Sequence, residues 1–281
     1  MSQDSSRFFR SYGPWALIVG GSEGIGAEFA RQIAARGLSL VLVARRQEVL
    51  HALAAELRSQ HSVEIVVVSL DMAAPGSVDS LCAQVAELDI GLLVCSAASS
   101  PLGDFLDVPR DAHDHLVDLN CKVPTRLTWE LARRMKPRGT GGIILVSSMA
   151  GFQGTGFVAH YAASKAYLLV LAEGLWNELH HLGIDVLATC PGLVRTPTLL
   201  DGHPVHPGWL ASPLMDCGPV VAQTLRALGR GPVVVPGAAN RISSWITQRL
   251  LPRRAAIALT SYGTRSMYPQ VADTAKAAPR S

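Results

Sequence analysis

The chain has 281 residues, 48% of them hydrophobic and 17% charged, with a formal net charge of +3. That length and composition suit one α/β domain with a large core, and the mild charge, without a basic block, argues against nucleic-acid binding. Five cysteines (Cys82, Cys95, Cys121, Cys190 and Cys217) lack zinc spacing, so no metal site is expected and the thiols suit a reducing, cytoplasmic compartment.

Taken in chain order, short β-rich runs alternate with helical patterns. Strands are predicted at 16–19, 39–43, 64–69, 91–94, 142–146, 184–188 and 232–235, and helices at 25–36, 47–59, 76–86, 111–135, 161–181 and 218–228. Nearly all-apolar strands in such an alternation predict a doubly wound, mostly parallel seven-stranded sheet with helices on both faces. Ligands then bind outside the carboxyl ends of the strands. Residues 1–12 and 273–281 read as mobile tails, and 13–272 as a single domain. The first residues contain no leader-like apolar run, and nowhere do eighteen apolar residues follow one another.

Two local patterns carry chemistry. The apolar run ending at Val19 leads into Gly20-Gly21-Ser22-Glu23-Gly24-Ile25-Gly26 and then a helix. Strand, glycine-rich turn and helix opening in that order form a nucleotide-phosphate site. Gly20 permits the tight turn, Gly24 lets backbone approach the pyrophosphate, and Gly26 lets helix pack on strand. The second pattern is Tyr161 and Lys165, which share a helix face at i and i+4. An ammonium about 4 Å from a phenol favours the phenolate by roughly 4 kcal/mol, or ~3 pKa units, before desolvation. The pair is therefore expected to transfer protons near neutral pH.

With these motifs the chain resembles the short-chain dehydrogenase/reductase family, whose marks are Thr-Gly-x-x-x-Gly-x-Gly and Tyr-x-x-x-Lys. The resemblance runs from about Gly13 to Thr198 and implies a Rossmann-type oxidoreductase with a catalytic tetrad of Asn120, Ser148, Tyr161 and Lys165. By this resemblance Tyr161 exchanges the proton, Ser148 binds the substrate oxygen, Lys165 lowers the tyrosine pKa and holds the nicotinamide ribose, and Asn120 keeps a relay water in place. Asp71, followed by Met72, stands where the family contacts adenine, and Ala97 lies in the segment after the fourth strand. Pro191, Gly192, Val194 and Thr196 belong to the Pro-Gly segment that lies over the nicotinamide. The entry Tyr12-Gly13-Pro14-Trp15 is similar to members acting on steroids and oxoacyl compounds.

Cofactor choice turns on the end of the second strand, where an acidic residue receives the ribose hydroxyls of NAD. Here the segment is Val43-Ala44-Arg45-Arg46, with alanine in the acidic slot. Arg45 can pair with a 2′-phosphate, Ser22 adds a hydroxyl, Arg46 is expected to point to solvent, and Glu23 to rotate away. NADP(H) is therefore expected over NAD(H).

The sequence departs from the family at Val19, which replaces threonine, and at Cys95-Ser96-Ala97-Ala98, which replaces Asn-Asn-Ala-Gly. Losing both polar partners predicts an apolar contact between these strand ends and leaves the site active. Residues 197–218, rich in proline and apolar side chains and containing His203 and His206, read as a substrate lid favouring a hydrophobic ketone or secondary alcohol. Helix 161–181 carries Leu168, Leu171, Leu175 and Leu179, which serve the core or, by resemblance, a homodimer or homotetramer interface. The basic amphipathic segment Ile242–Leu259 covers the pocket, meets a subunit neighbour or lies on a membrane surface. An NADP-binding redox sensor without catalysis on the same fold is the rival reading.

Overall fold

The computed structural model describes residues 3–201 and 213–269. Seven strands form its sheet: β1 (Trp15–Val19), β2 (Ser39–Ala44), β3 (Ile65–Ser69), β4 (Ile90–Cys95), β5 (Gly141–Val146), β6 (Ile184–Thr189) and β7 (Val233–Val234). Their order is β3-β2-β1-β4-β5-β6-β7, and every neighbouring pair is parallel. Every residue of β4 and β5 is buried, which is why these segments read as continuous apolar runs without alternation.

Helices α1 (Gln3–Tyr12), α2 (Gly24–Ala34), α3 (Gln47–Gln60) and α4 (Ser77–Gln84) precede α5 (Arg110–Val117), α6 (Val123–Met135) and α7 (Ala159–His180). After β6 come α8 (Pro197–Asp201), α9 (Cys217–Ala227), α10 (Ala238–Arg249) and α11 (Arg253–Met267). Successive strand residues point to opposite faces. Leu17 and Val19 of β1 accordingly join a core with Leu81, Leu127, Leu131 and Leu168 of α4, α6 and α7. Ala16 and Ile18 join Phe29, Ile33, Leu50 and Leu225 of α2, α3 and α9 on the other face.

Several boundaries differ from expectation for identifiable reasons. Residues 3–12, expected to be mobile, form α1. Its Phe8 and Tyr12 rings stack edge-on at 4.9 Å and are buried in the second core, and the Tyr12 hydroxyl donates to Asp185 Oδ2 at 2.7 Å. The helix expected at 111–135 is divided by a π-helical turn at Asp118–Lys122. The segment 242–259 becomes two helices because Pro252 cannot continue α10 and instead opens α11. Residues 202–212 of the expected lid, with His203 and His206, and the tail 273–281 lie outside the described residues. No helix among the described residues is long and apolar enough to cross a membrane.

The direction of winding reverses between β1 and β4. A crevice opens there, outside the carboxyl ends of the strands.

Candidate active site

The crevice measures about 520 Å³. Its floor is the turn from β1 into α2. Gly20 and Gly24 take positive φ of 85° and 53°. A Cβ on Gly20 would strike the Ala97 backbone nitrogen, one on Gly24 would stand 2.9 Å from Thr196 Cγ2, and one on Gly26 would run into the Gly20 carbonyl oxygen. The turn is thus a cradle that side chains would fill. Glu23, the residue preceding α2, makes no side-chain cap, and the first turn of the helix carries no acid. The first backbone N–H groups of α2 therefore lack a side-chain acceptor at the electropositive end of the helix dipole, the arrangement that receives a phosphate. These residues fit a dinucleotide.

The strand ends around the cradle are tied by main chain. Ser96 N and Ala97 N both donate to Val19 O at 2.9 Å, and Gly20 N donates to Val43 O at 2.8 Å. The expected apolar contact is therefore supplemented by backbone bonds that any residue type can make. Cys95 is 3% exposed, and burial pushes its thiol up to about 12, so it is an inert core residue.

Of the cofactor-side residues expected from sequence, Gly20, Ser22, Glu23, Gly24, Ile25, Arg45, Arg46, Asp71, Met72, Ala97, Tyr161, Lys165 and Thr196 line the crevice. Gly26, Asn120, Pro191, Gly192 and Val194 do not. Gly26 packs α2 against the turn, and Val194 is 6% exposed in a bridge to Met215. Arg46 is exposed, as expected, and its guanidinium also pairs with Glu23 at the mouth of the crevice. The carboxylate expected to swing free is therefore held by a cation. Arg45, exposed on the crevice wall, makes no ion pair among the described residues.

Across the crevice, α7 carries both the phenol and the ammonium, and the segment leaving β5 carries Ser148. Lys165 is 2% exposed, and its Nζ donates to Val146 O at 2.8 Å and stands 5.4 Å from the centroid of the Tyr161 ring. Ser148 lies two residues after the end of β5. Its hydroxyl is hydrogen-bonded to Tyr161 and accepts from Ala150 N at 3.2 Å. Ser147 Oγ donates to Lys165 O at 2.6 Å and so fastens the end of β5 to α7. The phenol, ammonium and hydroxyl expected from sequence do converge.

Their electrostatics differ from expectation. Burial pushes the Tyr161 phenol up to about 12, although its hydrogen bond to Ser148 favours ionisation, and burial brings Lys165 down to about 8. An ammonium beside a fully solvated phenol would favour the phenolate. Here both groups lose their hydration, and desolvation disfavours each charged form. At neutral pH the site therefore holds a protonated phenol beside an ammonium that readily gives up its proton.

Asn120 is fully buried in the π-helical turn. Its Oδ1 accepts from Ser99 N at 2.8 Å, and its Nδ2 donates to Ser99 O at 2.9 Å and to Ser164 Oγ at 3.0 Å. Ser164 Oγ in turn donates to Tyr161 O at 2.8 Å. The amide clamps the loop after β4 to α7, a positioning task that its sequence context does not disclose. Phe157, also silent in the sequence, has φ of +71°. Such a conformation costs a bulky residue roughly 1–3 kcal/mol and persists only where the surroundings hold it.

A doubly wound sheet with a glycine cradle at its switch point, opposed by a half-buried phenol beside a buried ammonium, defines a nicotinamide-type dehydrogenase. Residues 14–201 match the family model described as short chain dehydrogenase, and the chain belongs to that family. It is an oxidoreductase acting on CH–OH and C=O groups. It is 32% identical over 234 residues to the 7beta-hydroxysteroid dehydrogenase of Collinsella aerofaciens, covering 83% of this chain and 89% of that one. A solved structure from work on 7beta-hydroxysteroid dehydrogenase stereoselectivity superposes with a TM-score of 0.85 at 29% identity, covering 90% of this chain and 98% of that one. A short-chain dehydrogenase from Sphingobium yanoikuyae in complex with NADPH gives 0.75 at 32% identity, covering 84% and 94% respectively.

Proposed function

We propose that the protein is an NADP(H)-dependent oxidoreductase that interconverts a bulky hydrophobic ketone and its secondary alcohol. The observation that carries this reading is the Ser148–Tyr161–Lys165 constellation opening onto a glycine cradle whose wall bears Arg45 without an ion-pair partner among the described residues. When bound, the nicotinamide supplies the hydride for carbonyl reduction. Ser148 donates a hydrogen bond to the substrate oxygen and stabilises the charge that develops there. Tyr161, protonated at neutral pH, gives its proton to that oxygen, and the Lys165 ammonium stabilises the phenolate left behind. Arg45 would hold the 2′-phosphate that distinguishes NADPH, while Arg46 neutralises Glu23. Asn120 holds the helix that presents the phenol. The similarity to a hydroxysteroid dehydrogenase and to an NADPH complex supports the substrate class and the cofactor. A homodimer or homotetramer is the assembly we infer, built on the exposed side chains of α6 and α7.

The test is NADPH oxidation against a panel of hydrophobic ketones, run beside NADPH and NADH affinity. Turnover that disappears in Tyr161→Phe while NADPH still binds is the expected result. Retained turnover in that variant removes the tyrosine from the mechanism, and tight NADPH binding without turnover across a broad panel favours the redox sensor.

A further inference from the structure

Helix α10 is inverted relative to an ordinary surface helix. Its helical period places Asn240, Ser243, Ser244 and Thr247 on one side and Ile242, Trp245, Ile246 and Arg249 on the other. An apolar stripe normally turns toward the core, yet here the polar side does. Asn240 is fully buried and donates from Nδ2 to Pro236 O at 3.0 Å, and Ser244 is 5% exposed. The apolar side faces outward, with Ile242 at 61%, Trp245 at 57% and Ile246 at 38% exposure, and Leu250 just past the helix at 61%.

Helix α11 extends the pattern: Ala256 and Met267 are buried, while Ile257, Leu259 and Tyr262 are exposed. It is fastened to the body by directed contacts. Gly156 N donates to Ser261 Oγ at 2.7 Å, and Arg253 Nη1 donates to Phe152 O at 3.2 Å. Charge is just as lopsided. From Ala238 to Met267 the chain carries Arg241, Arg249, Arg253, Arg254 and Arg265 and no aspartate or glutamate, although the whole chain has 25 basic residues against 22 acidic. Arg265 is engaged by Asp104, whereas Arg249 and Arg254 are exposed and make no ion pair among the described residues.

We propose that the outer face of α10 and α11 docks on an anionic lipid surface. Trp245 and its aliphatic neighbours enter the boundary between headgroups and acyl chains, and Arg249 and Arg254 meet the lipid phosphates. An apolar stripe bordered by arginines matches a layer that is apolar beneath and anionic above. The indole suits that boundary, because its ring is apolar while its N–H can stay in the wet layer. A second copy of the chain fits the face poorly. A two-fold contact sets one patch against itself, so arginine would meet arginine with no carboxylate on either helix to pair with them. The chain beyond residue 269 offers one large apolar side chain, Val271, too little to cover the stripe. Docking of this kind does not depend on the reaction proposed above.

The experiment is flotation of the full chain, without cofactor, on two kinds of vesicle. One is phosphatidylcholine alone and the other contains about one-third phosphatidylglycerol, each at roughly 0.05 and 0.5 M salt. Wild type is expected to bind the anionic vesicles at low salt and the neutral ones about tenfold more weakly, with high salt removing most of the difference. Trp245→Glu and the double variant Arg249→Glu/Arg254→Glu are each expected to lose about tenfold in binding to anionic vesicles. Arg10→Glu removes an exposed cation from α1, which packs on β4 and β5, and is expected to change binding less than about twofold. Melting temperatures establish that the variants fold, and Ile242→Glu replaces Trp245→Glu should the latter not fold. A wild type that leaves anionic vesicles unbound, or binds both kinds equally, overturns the proposal. So does full binding in folded Trp245→Glu, or a loss in Arg10→Glu as large as in the double variant, which would reduce the effect to net charge. A sedimentation coefficient that falls in Trp245→Glu without lipid would give the face to a second copy and overturn the proposal as well.

Discussion

Lys165 is a cation in a place that disfavours cations. It is 2% exposed, its hydrogen bond goes to the Val146 carbonyl, and burial lowers its pKa to about 8. A buried charge without a carboxylate partner weakens the fold. Lys165→Met is therefore expected to stabilise the cofactor-free protein by on the order of 2–3 kcal/mol while abolishing turnover, measured by denaturant titration beside activity. The sign of the pH effect follows from a lowered pKa on a base. The folded state bears the cost of the charge below pH 8, and that cost disappears as pH rises to the unfolded value of 10.5. Stability of wild type relative to Lys165→Met should then rise between pH 8 and 10.5. Ketone reduction should fall through the same region as the ammonium is lost. A difference between the two proteins that stays flat there removes the argument.

At the scale of elements, glycine and buried aromatic residues decide which segments pack. A Cβ on Gly26 would enter the space of the Gly20 carbonyl oxygen, so Gly26→Ala must move α2 away from β1. That variant is expected to lose at least tenfold in NADPH affinity, read by fluorescence titration. Helix α1 is held by Phe8 and Tyr12, whose burial contributes roughly 3–6 kcal/mol together. Deleting residues 1–12 should lower the melting temperature by many degrees, and an unchanged melting curve would return this segment to the status of a loose tail. The leucines of α7 show how packing resolves an ambiguous helix. Leu168 is buried in the core, and Leu171, Leu175 and Leu179 pack against it, leaving Tyr167 and Val170 outside.

Over the whole molecule, exposed apolar groups collect on two surfaces. On α6 and α7, Trp129, Tyr167 and Val170 are 55%, 43% and 64% exposed. A charge placed in that patch should oppose self-association, so Val170→Glu is expected to shift the sedimentation of the protein toward monomer. If the wild type sediments as a monomer, the inferred assembly is wrong. On α10 and α11, Ile242, Trp245 and Tyr262 are exposed, as is Leu250 just after α10, while α11 also carries Ser261 and Met267 toward the loop before α7.

The sequence alone determined the α/β alternation, the glycine cradle, and the shared helix face of Tyr161 and Lys165. Each depends on local rules: strand length and apolarity, backbone freedom of glycine, and the i, i+4 spacing of a helix face. The tertiary structure alone decided the upward shift of the phenol by burial, the Arg46–Glu23 pair, the clamp made by Asn120, and the hydrogen bond from Tyr12 to Asp185. The last joins positions more than a hundred residues apart, and no local pattern marks it. The phenol's ionisation depends on how much water neighbouring elements exclude, a property of packing that spacing along the chain does not encode.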